Sequence, residues 1–257
     1  MITSTIIGSA SGVPVPNRSH ASLLIHVENT LYLVDAGEGC SSSLLRCSID
    51  HHKIGIICIS HMHPDHCSGL PMLIQMMYLA DRTSPLKIYL PQEGLDALSR
   101  WLENTYIFTE KLPFPFKLSP IIQGAFFRDE NIRISAYGNK HLQGYRHLVA
   151  SMYPERSLES YYFIIESKGK KVIYSGDLLS LDDLTPHCVE ADMLFLETTH
   201  VTIDDIVSFI VEQGVKRTIL THIPPELEDQ EEHIYSTASK FGIEDIRIAI
   251  DGMEIIL

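Results

Sequence analysis

Five apolar runs in this chain of 257 residues each lead to a residue that can bind a metal or move a proton. No other feature constrains the fold as much. The run 54–59 leads to His61, 131–137 to His141, 171–175 to Asp177, 192–196 to Glu197 and 217–221 to His222. Short runs of β-branched and aliphatic residues read as strands, buried on both faces where the run is continuous. Open α/β sheets collect ligands at the carboxyl ends of their strands, so these side chains are candidates for one crevice.

Other segments fill in the frame. Residues 2–7, 21–27 and 30–34 alternate like strands, the last two joined by a turn at Glu28-Asn29, and a helix is predicted over 41–47. Leu70, Leu73, Ile74, Met77 and Tyr78 recur at i, i+3, i+4, i+7 and i+8, one apolar helical stripe whose methionines read as core filling. A strand at 86–90 and a helix at 92–102 follow. The stretch KLPFPFKLSP (111–120) reads as an edge strand or loop, because proline cannot complete a sheet ladder. Further strands are predicted at 161–166 and 246–250 and helices near 180–187, 203–213 and 227–241, with Asp251-Gly252 closing a final hairpin. Strands and helices alternate throughout with no linker. The expectation is a single α/β domain over residues 1–257, organised as two related halves.

Composition narrows the function. A formal net charge of −13 argues against a broad basic surface for nucleic acid. Five cysteines without CxxC or disulfide-framework spacing read as free thiols in a reducing compartment. The start, MITSTIIGSASG, lacks a basic region followed by a long apolar one, and no apolar run approaches the roughly 20 residues that span a bilayer. No membrane association is expected, and the cytoplasm is the expected location.

The chemistry concentrates in HMHPDH, residues 61–66. His61 and His63, at i and i+2, can chelate one ion, while Asp65 and His66 point to a second. Asp177 and His222 share the strand-end position. His141 does too, although His147 is close enough in sequence to compete. Imidazole and carboxylate ligands without thiolate suit zinc, manganese or iron in a catalytic site with open positions. Two such metals lower the pKa of a bound water towards about 7, giving hydroxide at neutral pH.

These residues resemble the metallo-β-lactamase superfamily: HMHPDH its signature, SGD at 175–177 its bridging-aspartate motif, LTH at 220–222 its last histidine. The resemblance covers essentially the whole chain. It implies an αβ/βα four-layer sandwich, two mixed sheets with helices outside and the site at one edge. It further implies two divalent metals, zinc first and manganese or iron otherwise. One would sit on His61, His63 and His141, the other on Asp65, His66 and His222, with Asp177 bridging. His141 takes precedence over His147 because it directly follows the strand NIRISAYGNK, as the third family histidine does.

Within the superfamily the chain is most similar to the ribonuclease Z branch. GSASGVPVPNRSHASLLI, DAGEG at 35–39, SHMHPDHCSGLPMLI, ETT at 197–199 and HVTIDDIVSFIVEQGVKRTILTHI carry the likeness. It implies that His200 contacts the phosphate or protonates the leaving oxygen, that Glu197 orients His200, and that Asp65 orients the nucleophile besides binding metal. Thr202 followed by Asp205 reads as a helix N-cap, so His200 would stand beside a helix N-terminus suited to anions. Two features depart from the branch. SYYFIIESKGKKVIYSGD leaves only a Lys168–Lys171 turn where ribonuclease Z carries a long tRNA-gripping arm, and only two residues separate Glu197 from His200. The segment 142–158 is an extra loop, with Arg146, Tyr153 and Arg156 as pocket candidates.

The resulting expectation is a binuclear metal-dependent phosphodiesterase whose substrate is a small phosphodiester or an RNA 3′ end. One rival is a true tRNA 3′-processing endoribonuclease that grips its substrate otherwise, for example as a homodimer lending surface across its interface. Another is a thioester or lactone hydrolase using the same metal centre.

Overall fold

The apolar runs become strands, as β-branched side chains on a pleated surface favour, and they assemble into two seven-stranded sheets among the described residues. The computed structural model describes residues 2–257. The chain divides into two compact units, one running to Ile121 and including Ile250–Ile256, the other Ile122–Ala249.

In the first unit, strands β1 (Ile2–Gly8), β2 (Ser22–Val27) and β3 (Thr30–Val34) form an antiparallel meander. Its second turn contains Glu28 in the left-handed region, φ 54°. Strands β4 (Ile54–Cys58), β5 (Leu86–Leu90) and β6 (Phe116–Pro120) continue the sheet in parallel, with β6 at the edge where the proline-rich stretch was expected. Parallel strands need crossovers, supplied by helices α1 (Cys40–Arg46), α2 (Pro64–Cys67), α3 (Leu70–Leu79) and α4 (Leu95–Asn104). Leu44, Ile57, Leu73, Ile74, Ile88 and Leu98 meet in one buried cluster, each contributing about 1.5–3 kcal/mol by leaving water. The α3 stripe is narrower than predicted. Leu70, Leu73, Ile74 and Met77 are buried, but Tyr78 is exposed; at 100° per residue it has turned about 80° past Leu70. Met72, on the opposite side, is exposed too, so only Met77 of these methionines is fully buried in the core.

Arg82 is completely buried. Its guanidinium donates to the carbonyls of Ser84, His51, His52, Ile54 and Pro85 and lies over the Phe114 ring. Burial lowers its pKa to about 10, leaving it charged at neutral pH. It pins the turn that feeds β4.

The second unit contains β7 (Gly124–Arg128), β8 (Arg133–Gly138), β9 (Tyr161–Ser167) and β10 (Lys170–Tyr174) in an antiparallel meander. Then β11 (Met193–Glu197), β12 (Thr218–Thr221) and β13 (Ile246–Ile248) run parallel to β10. Helices α5 (Arg146–Met152), α6 (Thr185–Cys188), α7 (Ile203–Gln213) and α8 (Glu231–Lys240) complete it. Lys168 and Gly169, both at positive φ, close the β9–β10 hairpin in two residues, so no arm is inserted there.

Further features differ, among them the segment 142–158, expected as a loop, which carries α5. Strand β7 was not anticipated, because Ala125-Phe126-Phe127 lacks a buried alternation and lies at the sheet edge. The helix near 180–187 is a 3₁₀ turn at Leu181–Asp183 followed by the four-residue α6; Pro186 is tolerated only in a first turn. Asp251-Gly252 does not close a hairpin. Strand β13 pairs with β12, whereas the last strand, β14 (Glu254–Ile256), pairs with β1. The reason lies in the Asp251 carboxylate, which accepts bonds from Ser9 N (3.0 Å), Ser9 Oγ (2.8 Å) and Ser19 N (2.6 Å) and so ties the turn to the loops of the first unit. All five cysteines are free. Burial pushes Cys40, Cys67 and Cys188 up to about 12, which makes them poor nucleophiles. Among the described residues no helix is long and apolar enough to cross a membrane.

Candidate metal centre

In the first unit, β4 ends at Cys58, and His63, the residue preceding α2, has an extended backbone. The His61 and His63 rings lie 4.6 Å apart between centroids. Pro64 opens α2, whose single turn brings back Asp65 and His66. The His66 ring lies 4.2 Å from that of His61. His61 and His66 are buried; His63 and Asp65 are partly exposed.

Behind these side chains lies Asp35, fully buried and held at φ 58°. Its Oδ2 accepts from His66 Nδ1 at 2.7 Å, and its Oδ1 from Ser60 N at 2.7 Å; Ser60 Oγ also donates to Oδ2. A carboxylate behind an imidazole sets the tautomer and leaves Nε2 as the outward donor. Gly37 and Gly69 allow the close approach. A Cβ on Gly37 would collide with the Asp65 carbonyl and the His20 Cβ, and one on Gly69 with the Gly37 and Ala36 carbonyls.

In the second unit, His141 follows β8, Asp177 follows β10 and His222 follows β12. Their atoms alternate: His141 Nε2 stands 3.7 Å from Asp177 Oδ2, and His222 Nε2 stands 3.4 Å from Asp177 Oδ1. Asn139 donates through Nδ2 to the Asp177 carbonyl and accepts from His141 N through Oδ1. Thr199 Oγ1 lies 2.9 Å from His222 Nδ1, and His222 itself sits at φ 54°. Left-handed non-glycine residues cost backbone energy and cluster at functional sites; Asp35 and His222 are two. His147, by contrast, is exposed on α5, a helix with no buried residue.

Glu197 ends β11 and is fully buried. Its carboxylate accepts from the backbone N–H groups of Thr199 (2.7 Å), His200 (3.0 Å) and Leu178 (3.2 Å), and its Oε1 lies 3.1 Å from His200 Nδ1. The short spacing between Glu197 and His200 is therefore a tight turn wrapped around the carboxylate. The His200 ring, partly open to solvent, meets that of His141 edge-on at 4.9 Å. Thr202 caps α7 by accepting from Asp205 N. A cleft of about 430 Å³ adjoins His200, lined by Leu179, Ser180, Thr202, Ser208 and Phe209 among others.

The donor sets suit divalent metal. Two ligands about 2.0–2.1 Å from one tetrahedral zinc lie about 3.4 Å apart. The two contacts of Asp177 and the 3.6 Å from His66 Nε2 to Asp65 Oδ2 match such ligand edges and exceed the ordinary hydrogen-bond range. Asp35, Ser60, Asn139 and Thr199 escape a reading by residue type. Asp35 follows a strand end within DAGEG and carries the same positional signal as Asp177, whereas a serine, an asparagine and a threonine carry no chemical signature.

Residues 2–240 match the family described as Anti-Pycsar protein Apyc1. The chain belongs to that family. This Apyc1-family chain is also similar to the ribonuclease Z of Ignicoccus hospitalis, 24% identical with 89% of this chain and 90% of that protein covered. Among solved structures it resembles the metallo-β-lactamase fold protein YhfI from Bacillus subtilis, with a TM-score of 0.78, 20% identity and 99% and 98% of the two chains covered. It also resembles the short form of human tRNase Z, with a TM-score of 0.75, 22% identity and 99% and 98% covered. The fold is that of the metallo-β-lactamases, and the expected likeness to ribonuclease Z is borne out.

Proposed function

We propose that this Apyc1-family chain is a binuclear metal-dependent phosphodiesterase acting on a small or flexible phosphodiester. His61, His63 and His141 would hold one ion, Asp65, His66 and His222 the other, and Asp177 would give an oxygen to each. Zinc suits the imidazole-rich donor set best, with manganese or iron as substitutes. When bound, the metals supply Lewis acidity and lower the pKa of water, making a nucleophile available near neutral pH.

The observation that carries the phosphodiester reading is the Glu197–His200 pair. A buried carboxylate 3.1 Å from His200 Nδ1 favours a proton on that nitrogen and directs Nε2 outwards. Such an imidazole can contact a phosphoryl oxygen or hand a proton to a departing alkoxide. Asp65 accepts a hydrogen bond from the attacking water and so orients it. The relatives named ribonuclease Z support phosphodiester chemistry, and a cytoplasmic setting suits five free thiols.

A second reading, cleavage of tRNA 3′ ends, draws on the same relatives. The two-residue Lys168-Gly169 turn and the net charge of −13 weigh against it, and it would need a homodimer or another surface to grip the tRNA. A precursor-tRNA cleavage assay separates the two.

The test of the main reading is His200→Ala in metal-replete protein. Hydrolysis of a dinucleoside phosphate, whose alkoxide leaving group needs a proton, should fall roughly 10²–10⁴-fold. Bis(p-nitrophenyl) phosphate, with its stable phenolate, should suffer less. An unchanged rate on the dinucleoside phosphate contradicts the assignment.

A further inference from the structure

We infer that Asp50, His51 and His52 form a separate binding site for a borderline divalent metal such as zinc, at the end of β4 away from the HMHPDH run. These three residues make the turn that enters β4; His61 follows where β4 leaves. Five strand residues separate the two places by roughly 15 Å, and no residue is shared.

Three observations carry the site. First, one ligand atom from each of Asp50, His51 and His52 lies within 4.8 Å of the others. Ligands on one zinc need about 3.4 Å, so a modest rotation of exposed Asp50 and half-buried His52 closes the set. Second, His51 is only 8% exposed, and its Nδ1 is buried with no hydrogen-bond partner among the described residues. A buried ring nitrogen left without a partner is costly, and a metal bound to that nitrogen would satisfy it. Third, the backbone of the turn is already fixed. Arg82 Nη1 binds the carbonyls of His51 (3.0 Å) and His52 (3.1 Å), Nη2 binds that of Ile54 (2.7 Å), and Asp50 Oδ1 accepts from His52 N (3.1 Å). The His51 and His52 rings stand 4.4 Å apart at 63°.

Two imidazoles and one carboxylate select zinc, nickel or copper over magnesium or calcium, which prefer oxygen ligands. The Asp50 carboxylate offsets the positive charge of Arg82 nearby. Lys53 Nζ lies 3.9 Å from Asp50 Oδ2 with both side chains about half exposed, an ion pair weak enough for a metal to displace.

The test is equilibrium dialysis against micromolar zinc, with metal counted per chain by elemental analysis. Wild type is compared with the double variant Asp50→Asn, His52→Ala. Both positions face solvent at least in part, and asparagine still caps the turn, so the fold should persist; circular dichroism checks that. The expected result is one ion fewer per chain in the variant, with phosphodiesterase turnover retained. Equal metal counts in the two proteins overturn the proposal. If the double variant unfolds, His52→Gln alone is used, and the added zinc-dependent rise in Tm of wild type over that variant is read; no difference overturns it equally.

Discussion

The two halves present their ligand-type side chains in opposite ways. The first supplies His61, His63, Asp65 and His66 from six consecutive residues. The second gathers His141, Asp177 and His222 from the ends of three strands. Their supports differ as well. His66 is held by the fully buried Asp35 carboxyl, around which three donor groups gather, whereas His222 is held by the hydroxyl of Thr199. A local cluster can be prearranged by one turn and one buried carboxylate. A dispersed one depends on the register of a whole sheet. The contrast makes separate, testable demands on each half.

The largest expected effect removes a ligand from either side. His66→Ala and His222→Ala should each lower phosphodiesterase kcat/KM by about 10³-fold or more, equivalent to about 4 kcal/mol of barrier. Losses of similar size are expected from both; a silent variant at either position would break the comparison.

A smaller effect distinguishes the supports. Asp35→Ala should weaken metal binding towards the upper end of the roughly 10–100-fold range for such outer partners, and Thr199→Val towards its lower end. The comparison rests on charge-assisted hydrogen bonds being stronger than neutral ones. Metal titration with a chromogenic chelator measures both, and the reverse ranking would show that charge is not what separates the halves.

The smallest effect concerns the buried charge that anchors each half. In the first half it is Arg82, satisfied by carbonyls. In the second it is Asp192, which accepts from Lys171 N (2.9 Å), Lys216 Nζ (2.9 Å) and Lys170 Nζ (3.1 Å). Burial alone would raise the Asp192 pKa, but these bonds and the positive charge bring it down to about 2. A depressed carboxylate stabilises the fold above its unfolded pKa of about 3.9 and loses that contribution as pH falls through its folded value. Asp192→Asn should therefore be less stable than wild type at pH 6, with the gap closing between about pH 4 and pH 2. Arg82 stays charged over that range and adds no such slope. Urea unfolding across pH measures the gap, and a gap that persists at pH 2 would contradict the assignment.

What could be read from the chain follows the same division. HMHPDH stands out because four ligand-type side chains crowd six residues. Asp177 and His222 stand out because each ends an apolar run and completes a short motif, SGD and LTH. The strands were legible where both faces are buried, as in β4 and β11, and β7 was not, because its half-exposed edge position leaves no alternation. Asp251-Gly252 looks like a hairpin locally; the bonds from Ser9 and Ser19, more than 230 residues away in sequence, make it a passage between sheets instead. Asn139 and Thr199 matter through geometry alone, which no residue type announces.

Asp177 carries the proposal of a binuclear centre, since it would give one oxygen to each ion. The most direct measurement is the metal content of Asp177→Ala relative to wild type, taken with its turnover on a phosphodiester. The expected result is two ions fewer per chain and activity near background. Retention of the wild-type metal count with unchanged turnover would contradict the bridging role.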